Sequence, residues 1–261
     1  LNSTITIDIW QASLDISPQL EEKYWAILNT EEKQRANRFV KREDKTRFVA
    51  GRAILRYLLA QYLSLHPQAI SFDYLSHGKP VLAKNDCSPP LQFNVSHSHY
   101  LALYAFTYSD YGIGIDVEFL RSLPDALSLA QRFFTESEAA YLASLPPQKQ
   151  QAMFFKFWTA KEAYLKATGE GLMGLEKIEI AVSATNSNQF QVIKGEEQIQ
   201  FHSFQPDEKF IATVAILENN SLNQGQPIDR ALDTSNKWKA GNPDSSAESQ
   251  ENTLVFRNWD E

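Results

Sequence analysis

The stretch YGIGIDVE, Tyr111 to Glu118, ends an apolar run with two carboxylates two residues apart. In a strand, alternate side chains share a face, so Gly114, Asp116 and Glu118 lie opposite Ile113, Ile115 and Val117. Adjacent carboxylates repel and raise each other's pKa unless a cation lies between them. Such an oxygen pair suits Mg²⁺, which takes one or two carboxylates together with substrate phosphates. D-x-E is a common pattern, and spacing alone favours a plainer reading: a strand end in solvent, ion-paired to passing Lys or Arg.

A second stretch, FFKFWTAKEAYLKATGEG from Phe154, has helical periodicity. Phe154, Phe157, Trp158, Tyr164 and Leu165 form an apolar arc. Lys161 falls inside that arc, and Glu162 and Lys166 flank it four residues apart. The plain reading is a surface pair worth about 0.3–0.5 kcal/mol, with Lys161 snorkelling to water. A lysine within the arc tilts the balance towards function: Glu162 as a third metal carboxylate, with Lys161 and Lys166 aimed at phosphate oxygens. Gly169 and Gly171 then end the helix.

Two further motifs are weaker alone. In FNVSHSHY, Phe93 and Val95 share a strand face, and Ser96, His97, Ser98 and His99 are expected in the following turn. A Ser–His neighbourhood invites a hydrolase reading, but adjacency is not triad geometry and there is no G-x-S-x-G elbow. Ser96 and His97 donating to a phosphate is the better functional reading. SHGKP, Ser76 to Pro80, reads as a glycine turn followed by Lys79.

The elements that must position these residues occur twice. ITIDIW, Ile5 to Trp10, shares an I-x-I-D core with IGIDVE, and Asp8 and Asp116 are 108 residues apart. Trp10 replaces the second acid, so whatever the pair does, one half does it. After the first strand come helical stretches, a long helix from about Thr46 to Leu63, and strands at 70–74, 91–95 and 101–106. After the second come a helical stretch at 135–145, a long helix from about Gln151 to Thr168, and strands near 178–182, 199–204 and 210–217. This order is α+β. Its repetition predicts two similar halves, 1–110 and 111–218, about a pseudo-two-fold axis with a ligand site between them. Beyond Glu218 the chain is rich in Asn, Ser, Gln and charge, which predicts a mobile or loosely docked tail over 219–261. Its LVF triplet, Leu254 to Phe256, is a candidate anchor.

Composition narrows the class. With 261 residues and 43% hydrophobic content the chain can build a real core. It has no apolar run long enough to span a bilayer, no basic-then-apolar leader, and one cysteine, Cys87. A cytoplasmic protein without membrane association is expected. The net charge of −7 conceals nine basic residues between Lys33 and Arg56 against Glu43 and Asp44 alone. Such a run is either a solvated helix face or a dock for an anion. The acidic remainder would repel a long phosphate backbone, so a small multiply phosphorylated ligand fits better than nucleic acid.

GKP, FNVSHS, GIGIDVE and FWTAKEAYLK, in that order, resemble the motif set of the Sfp-type 4′-phosphopantetheinyl transferases. The resemblance covers about residues 5–217, including RANRF, AGRAILR and QRFFTESE, and leaves 219–261 unaccounted for. It implies a monomeric single-chain pseudo-dimer that moves the phosphopantetheine arm of coenzyme A to a serine of an apo acyl, peptidyl or polyketide carrier protein, releasing adenosine 3′,5′-bisphosphate. It further implies that Asp116, Glu118 and Glu162 hold Mg²⁺ (Mn²⁺ is equally oxygen-loving) on the pyrophosphate. Lys166, His97, Ser96 and Lys161 would contact phosphates, and Lys79 would lie near the nucleotide end. Arg47 and Arg52 are the choices for the 3′-phosphate. Glu162, or a metal-bound water that it orients, would take the serine proton, and Phe133 and Phe134 would mark the carrier-docking region. Two rival readings remain open on the residues alone: a metal-dependent nucleotide phosphodiesterase, and a non-catalytic module binding coenzyme A or a carrier protein.

Overall fold

The computed structural model describes residues 5–75, 78–170, 174–175, 178–183, 190–195, 198–218 and 252–259. The first half runs β1 (Thr6–Ser13), α1 (Pro18–Ile27), α2 (Thr30–Ala36), α3 (Arg42–Leu63), a single 3-10 turn, β2 (Phe72–Tyr74), β3 (Pro80–Leu82), β4 (Leu91–Ser98) and β5 (Leu101–Tyr108). The second runs β6 (Gly112–Phe119), α4 (Ala126–Phe133), α5 (Glu136–Ser144), α6 (Pro147–Thr168), β7 (Glu179–Val182), β8 (Phe190–Lys194), β9 (Ile199–Phe204) and β10 (Phe210–Leu217). Each half is therefore a strand, two short helices, a 22-residue helix, a small hairpin and two more strands. The α+β order and its repetition are as the sequence predicts.

Sheet topology repeats as well. β1 pairs antiparallel with β5, and β5 with β4; β6 pairs antiparallel with β10, and β10 with β9. The shared I-x-I-D pattern has a direct cause. Ile7 and Ile9 of β1 and Ile113, Ile115 and Val117 of β6 point into one core between the two sheets, together with Leu103, Phe210 and Val214. Two further cores lie between each sheet and its own helices.

A buried ion pair is also duplicated. Asn29 and Glu32 form a capping box at the start of α2, and Thr135 and Glu138 form one at the start of α5. In each half that glutamate pairs with a fully buried cation of the long helix: Arg56 Nε to Glu32 Oε2 at 2.8 Å, and Lys161 Nζ to Glu138 Oε2 at 2.6 Å. Each cation also donates to a backbone carbonyl just beyond its helix, Ile70 at 2.9 Å and Ile178 at 2.9 Å.

Several boundaries differ from those read in the sequence. β4 continues through Ser98 because its ladder with β5 closes at Ser98 and Leu101, so only His99 and Tyr100 form the turn. Ser96, His97 and Ser98 are thus strand residues. Helices α3 and α6 each start about four residues earlier than their apolar periodicity begins. Helix α4 and strands β3 and β8 escaped prediction, being short segments that packing rather than pattern defines.

The C-terminal segment is described only at its end. The expected mobile stretch falls mostly on residues 219–251, outside the described residues. The LVF triplet lies within β11 (Thr253–Asn258), which pairs parallel with β1 from Thr6↔Thr253 to Gln11↔Asn258. Trp259 follows it onto the first half, donating from Nε1 to Tyr24 Oη at 3.2 Å and lying edge-on to Trp10.

Candidate active site

Helix α6 reaches β6 at Gly114. A Cβ there would stand 2.0 Å from the Ala163 carbonyl oxygen and 2.5 Å from the Ala167 nitrogen, so only glycine permits the contact. That approach sets Glu162 and Lys166 beside Asp116. The Lys166 ammonium donates to Asp116 Oδ1 at 2.7 Å, Ser96 Oγ at 3.0 Å and the Ile115 carbonyl at 3.0 Å. Ser96 Oγ also donates to Asp116 Oδ1 at 2.9 Å. Asp116 is buried, and its other oxygen, Oδ2, has no hydrogen-bond partner.

Glu118 takes the Ser98 hydroxyl on Oε2 at 3.0 Å, with Arg121 3.7 Å from the same oxygen. Burial, and then the Asp116 charge, raise the Glu118 carboxyl above its ordinary value. The same two causes, with Glu118 adding, push Glu162 up to about 7 against the pull of Lys166. Three carboxylates thus crowd one ammonium. Among the described residues no three His, Cys, Asp or Glu side chains are grouped closely enough to hold a metal ion by themselves. The donor set nonetheless fits Mg²⁺, which leaves part of its shell to phosphates and water. An unpartnered buried oxygen on Asp116, and two carboxyls raised by burial and then by the Asp116 charge, are what a divalent cation would relieve.

The corresponding position in the first half is closed. Tyr62 donates to Asp8 Oδ2 at 2.6 Å, Arg257 of β11 donates to Asp8 Oδ1 at 3.0 Å, and Trp10 donates from Nε1 to the Tyr62 hydroxyl at 2.9 Å. Both oxygens of Asp8 are engaged, whereas Asp116 keeps one open.

A cleft of about 670 Å³ adjoins the acidic pole, lined by basic and aromatic residues of α3 and the α2–α3 connection and by β4. It is the right size for a small-molecule ligand. His97 and Ser98 form its end next to the acids. The His97 imidazole is held below its ordinary value by desolvation in the cleft first, and then by the Lys166 charge.

Arg47 and Arg52 both line the cleft, but each has protein partners. Arg47 donates to Asp15 at 2.9 Å and pairs with Glu43; Arg52 donates to Glu32 at 3.2 Å and to Tyr74 Oη at 2.8 Å. Asp15 and Glu43 are largely exposed, so the Arg47 pairs lie within reach of exchange with a dissolved anion. Arg35, Phe39 and His99 also line the cleft and were not singled out from sequence. Only the general basic bias of residues 33–56 pointed to Arg35.

Three expectations need correction. Lys161 was a candidate phosphate contact, yet it is fully buried on Glu138 and the Ile178 carbonyl, where its first-half equivalent is Arg56. An ammonium in the apolar arc served a buried acid. Lys79 was placed at the nucleotide end; Gly78 and Pro80 do line the cleft, but the Lys79 ammonium donates to the backbone carbonyls of Ile113 and Lys166. Burial there, with the Lys166 charge, lowers it to about 8. Phe134 is buried and stacked on Phe154, so it presents no docking surface; Phe133 is half-buried against Trp158.

Comparison with known proteins agrees with the repeated architecture. Residues 112–215 match the model of the 4′-phosphopantetheinyl transferase superfamily, and residues 16–108 match that of the 4′-phosphopantetheinyl transferase N-terminal region. The chain is 43% identical over 210 residues to the 4′-phosphopantetheinyl transferase HetI of a Nostoc species, covering 80% of this chain and 87% of that protein. It is 28% identical over 191 residues to a Bacillus subtilis 4′-phosphopantetheinyl transferase, 73% of this chain and 82% of the relative. Against the human L-aminoadipate-semialdehyde dehydrogenase-phosphopantetheinyl transferase it is 31% identical over 207 residues, 72% of this chain and 67% of the relative. With both halves matched and such identity across most of its length, the chain is an enzyme of the 4′-phosphopantetheinyl transferase superfamily.

Proposed function

We propose that this enzyme transfers the phosphopantetheine arm of coenzyme A to a serine hydroxyl of an apo acyl, peptidyl or polyketide carrier protein, releasing adenosine 3′,5′-bisphosphate in an Mg²⁺-dependent reaction. The observation that carries this reading is the open oxygen of buried Asp116, flanked by two carboxyls with raised pKa, at the end of a basic cleft. A pyrophosphate and a divalent cation together satisfy that arrangement.

Asp116, Glu118 and Glu162 would hold the ion, which when bound supplies charge neutralisation for the pyrophosphate. The protein's own groups do the rest. Arg47, exchanging its exposed partners for ligand, and Arg52, held on buried Glu32, would bind the 3′-phosphate, and the cleft's aromatic walls would seat the nucleotide. Lys166 beside Asp116, and His97 at the cleft end of β4 within the field of Lys166, would orient phosphate oxygens, while Ser96 binds Asp116 with its one proton. The carrier serine oxygen forms the new bond to phosphorus, the bond from phosphorus to the departing adenosine bisphosphate oxygen breaks, and the serine proton passes to Glu162. A carboxylate beside the reacting atoms can take that proton as a general base. Displacement of this kind needs positioning and charge more than a protein nucleophile, so Ser96 binds rather than attacks. Among the described residues no helix is long and apolar enough to cross a membrane.

The test is mass spectrometry of an apo carrier protein incubated with coenzyme A, Mg²⁺ and this enzyme. The expected result is carrier gaining one phosphopantetheine arm, with the gain lost on adding EDTA. Cleavage of coenzyme A with the carrier unmodified would establish a nucleotide phosphodiesterase instead. Binding without cleavage would leave only a coenzyme A or carrier module.

A further inference from the structure

Strands β4 and β6 belong to different sheets, and β4 spans the gap with side chains. Asn94 Oδ1 accepts the Ile115 N–H at 2.9 Å, Ser96 Oγ the Val117 N–H at 3.3 Å, and Ser98 Oγ the Phe119 N–H at 3.1 Å. The three rungs fall two residues apart on one face of β4, meeting backbone amides two residues apart on β6. A serine hydroxyl has one proton. With the amide received on oxygen, that proton is directed at the neighbouring acid: Ser96 to Asp116 Oδ1 at 2.9 Å, Ser98 to Glu118 Oε2 at 3.0 Å. Each hydroxyl engages one oxygen of one carboxylate.

The two acids differ in what else holds them. Asp116 has Lys166 as well, on the same oxygen as Ser96. Among the described residues Glu118 has, as its one ion pair, the half-exposed Arg121, 3.7 Å from the oxygen that Ser98 holds, with Lys166 acting on it by charge alone. Without the Ser98 hydroxyl, Arg121 would be left to draw Glu118 outward to solvent.

From this juxtaposition we infer that Ser98 is a positioning residue for Glu118: by fixing one carboxylate oxygen against the β4–β6 bridge, it keeps the other aimed at the cation site. The inference rests on the proposed metal role of the acids. Asn94 is a built-in control, because it makes the same kind of bridge and touches neither acid.

The test measures Mn²⁺ binding by electron paramagnetic resonance in the presence of coenzyme A and without carrier protein, so no turnover is read. Ser98→Thr and Ser98→Val share a shape and differ by the hydroxyl. Ser98→Thr should bind Mn²⁺ like the wild type, while Ser98→Val and Ser98→Ala should weaken it about tenfold, as loss of an outer partner of a ligand typically does. Adding Arg121→Ala to Ser98→Ala should restore part of the loss. Asn94→Ala should lower the melting temperature and leave Mn²⁺ affinity unchanged. Wild-type affinity in Ser98→Val, or an Asn94→Ala loss as large as that of Ser98→Ala, would overturn the inference while leaving the metal assignment standing. A wild-type protein that binds no Mn²⁺ with coenzyme A present would overturn the metal assignment and this inference with it.

Discussion

Asp8 and Asp116 hold matching places in the repeat, and what separates them is one oxygen. Tyr62 and Arg257 engage both oxygens of Asp8; Asp116 Oδ2 stays open and buried. Asp116→Ala should therefore abolish transfer, with circular dichroism and melting temperature near wild type, since the change removes repulsion along with a ligand. A near-normal rate would end the assignment of Asp116 to the metal. Glu162→Ala should cost at least about 10²-fold in kcat, and Ser96→Ala clearly less; the reverse order in a carrier-loading assay would favour a serine nucleophile. Glu162 also predicts a pH signature for the metal-free protein. Its carboxyl lies near 7 in the fold against an ordinary 4.5, so the folded state holds that proton more tightly than the unfolded chain. The stabilisation is complete below about 4.5 and fades as pH rises to about 7. The melting temperature of the wild type minus that of Glu162→Gln should fall across that window, and a difference that rises would contradict the pKa direction. The acids were legible in the sequence because strand alternation assigns their face. Their partners Ser96 and Ser98 were misplaced in a turn, because the strand end is set by pairing with β5, which local pattern does not reveal.

At the level of elements, the site depends on how closely α6 lies on β6. Gly114→Ala would set a methyl group into the helix backbone, so α6 must move and carry Glu162 and Lys166 away from Asp116. A thermally weakened protein with greatly reduced transfer is the expected outcome, measured by melting and carrier loading; full activity would show that the helix can give way without cost. Lys161 offers the opposite case. Lys161→Ala leaves Glu138 charged and buried, and should lower stability by about 3–5 kcal/mol in urea unfolding. Mn²⁺ affinity of the folded fraction should remain unchanged. The long helices α3 and α6 were readable from periodicity and from glycine at the α6 terminus, where Gly169 has φ 79°. The role of Lys161 was not readable, because an ammonium in an apolar arc has the same wheel position whether it meets a ligand or a buried glutamate. The capping motif T-E-S-E at Thr135 held the missing clue, since its Glu138 repeats Glu32 as Lys161 repeats Arg56.

For the whole molecule, the repeat was visible in two four-residue cores because both strands serve one shared interior. The LVF triplet was legible as a candidate anchor, and β11 forms there; its pairing with β1 was not, because strand partners distant in sequence leave no periodic mark. That attachment revises what the composition of the tail predicts. Deleting residues 252–261 should leave the acidic pole intact, since it lies on β4, β6 and α6. The deletion strips β1 of a paired strand, Asp8 of Arg257, and the first-half aromatic cluster of Trp259. The expected result is a melting temperature several degrees lower, with transfer retained at low temperature; an unchanged melting temperature would show that β11 contributes nothing to the fold. The pairing of β1 with β11 also has a consequence for biosynthesis. On the ribosome, the second half emerges with every strand of its own sheet in hand once β10 is made. The first half, though translated earlier, waits for Thr253 onward before its sheet and its tryptophan contact are whole, so the half that is born first is finished last.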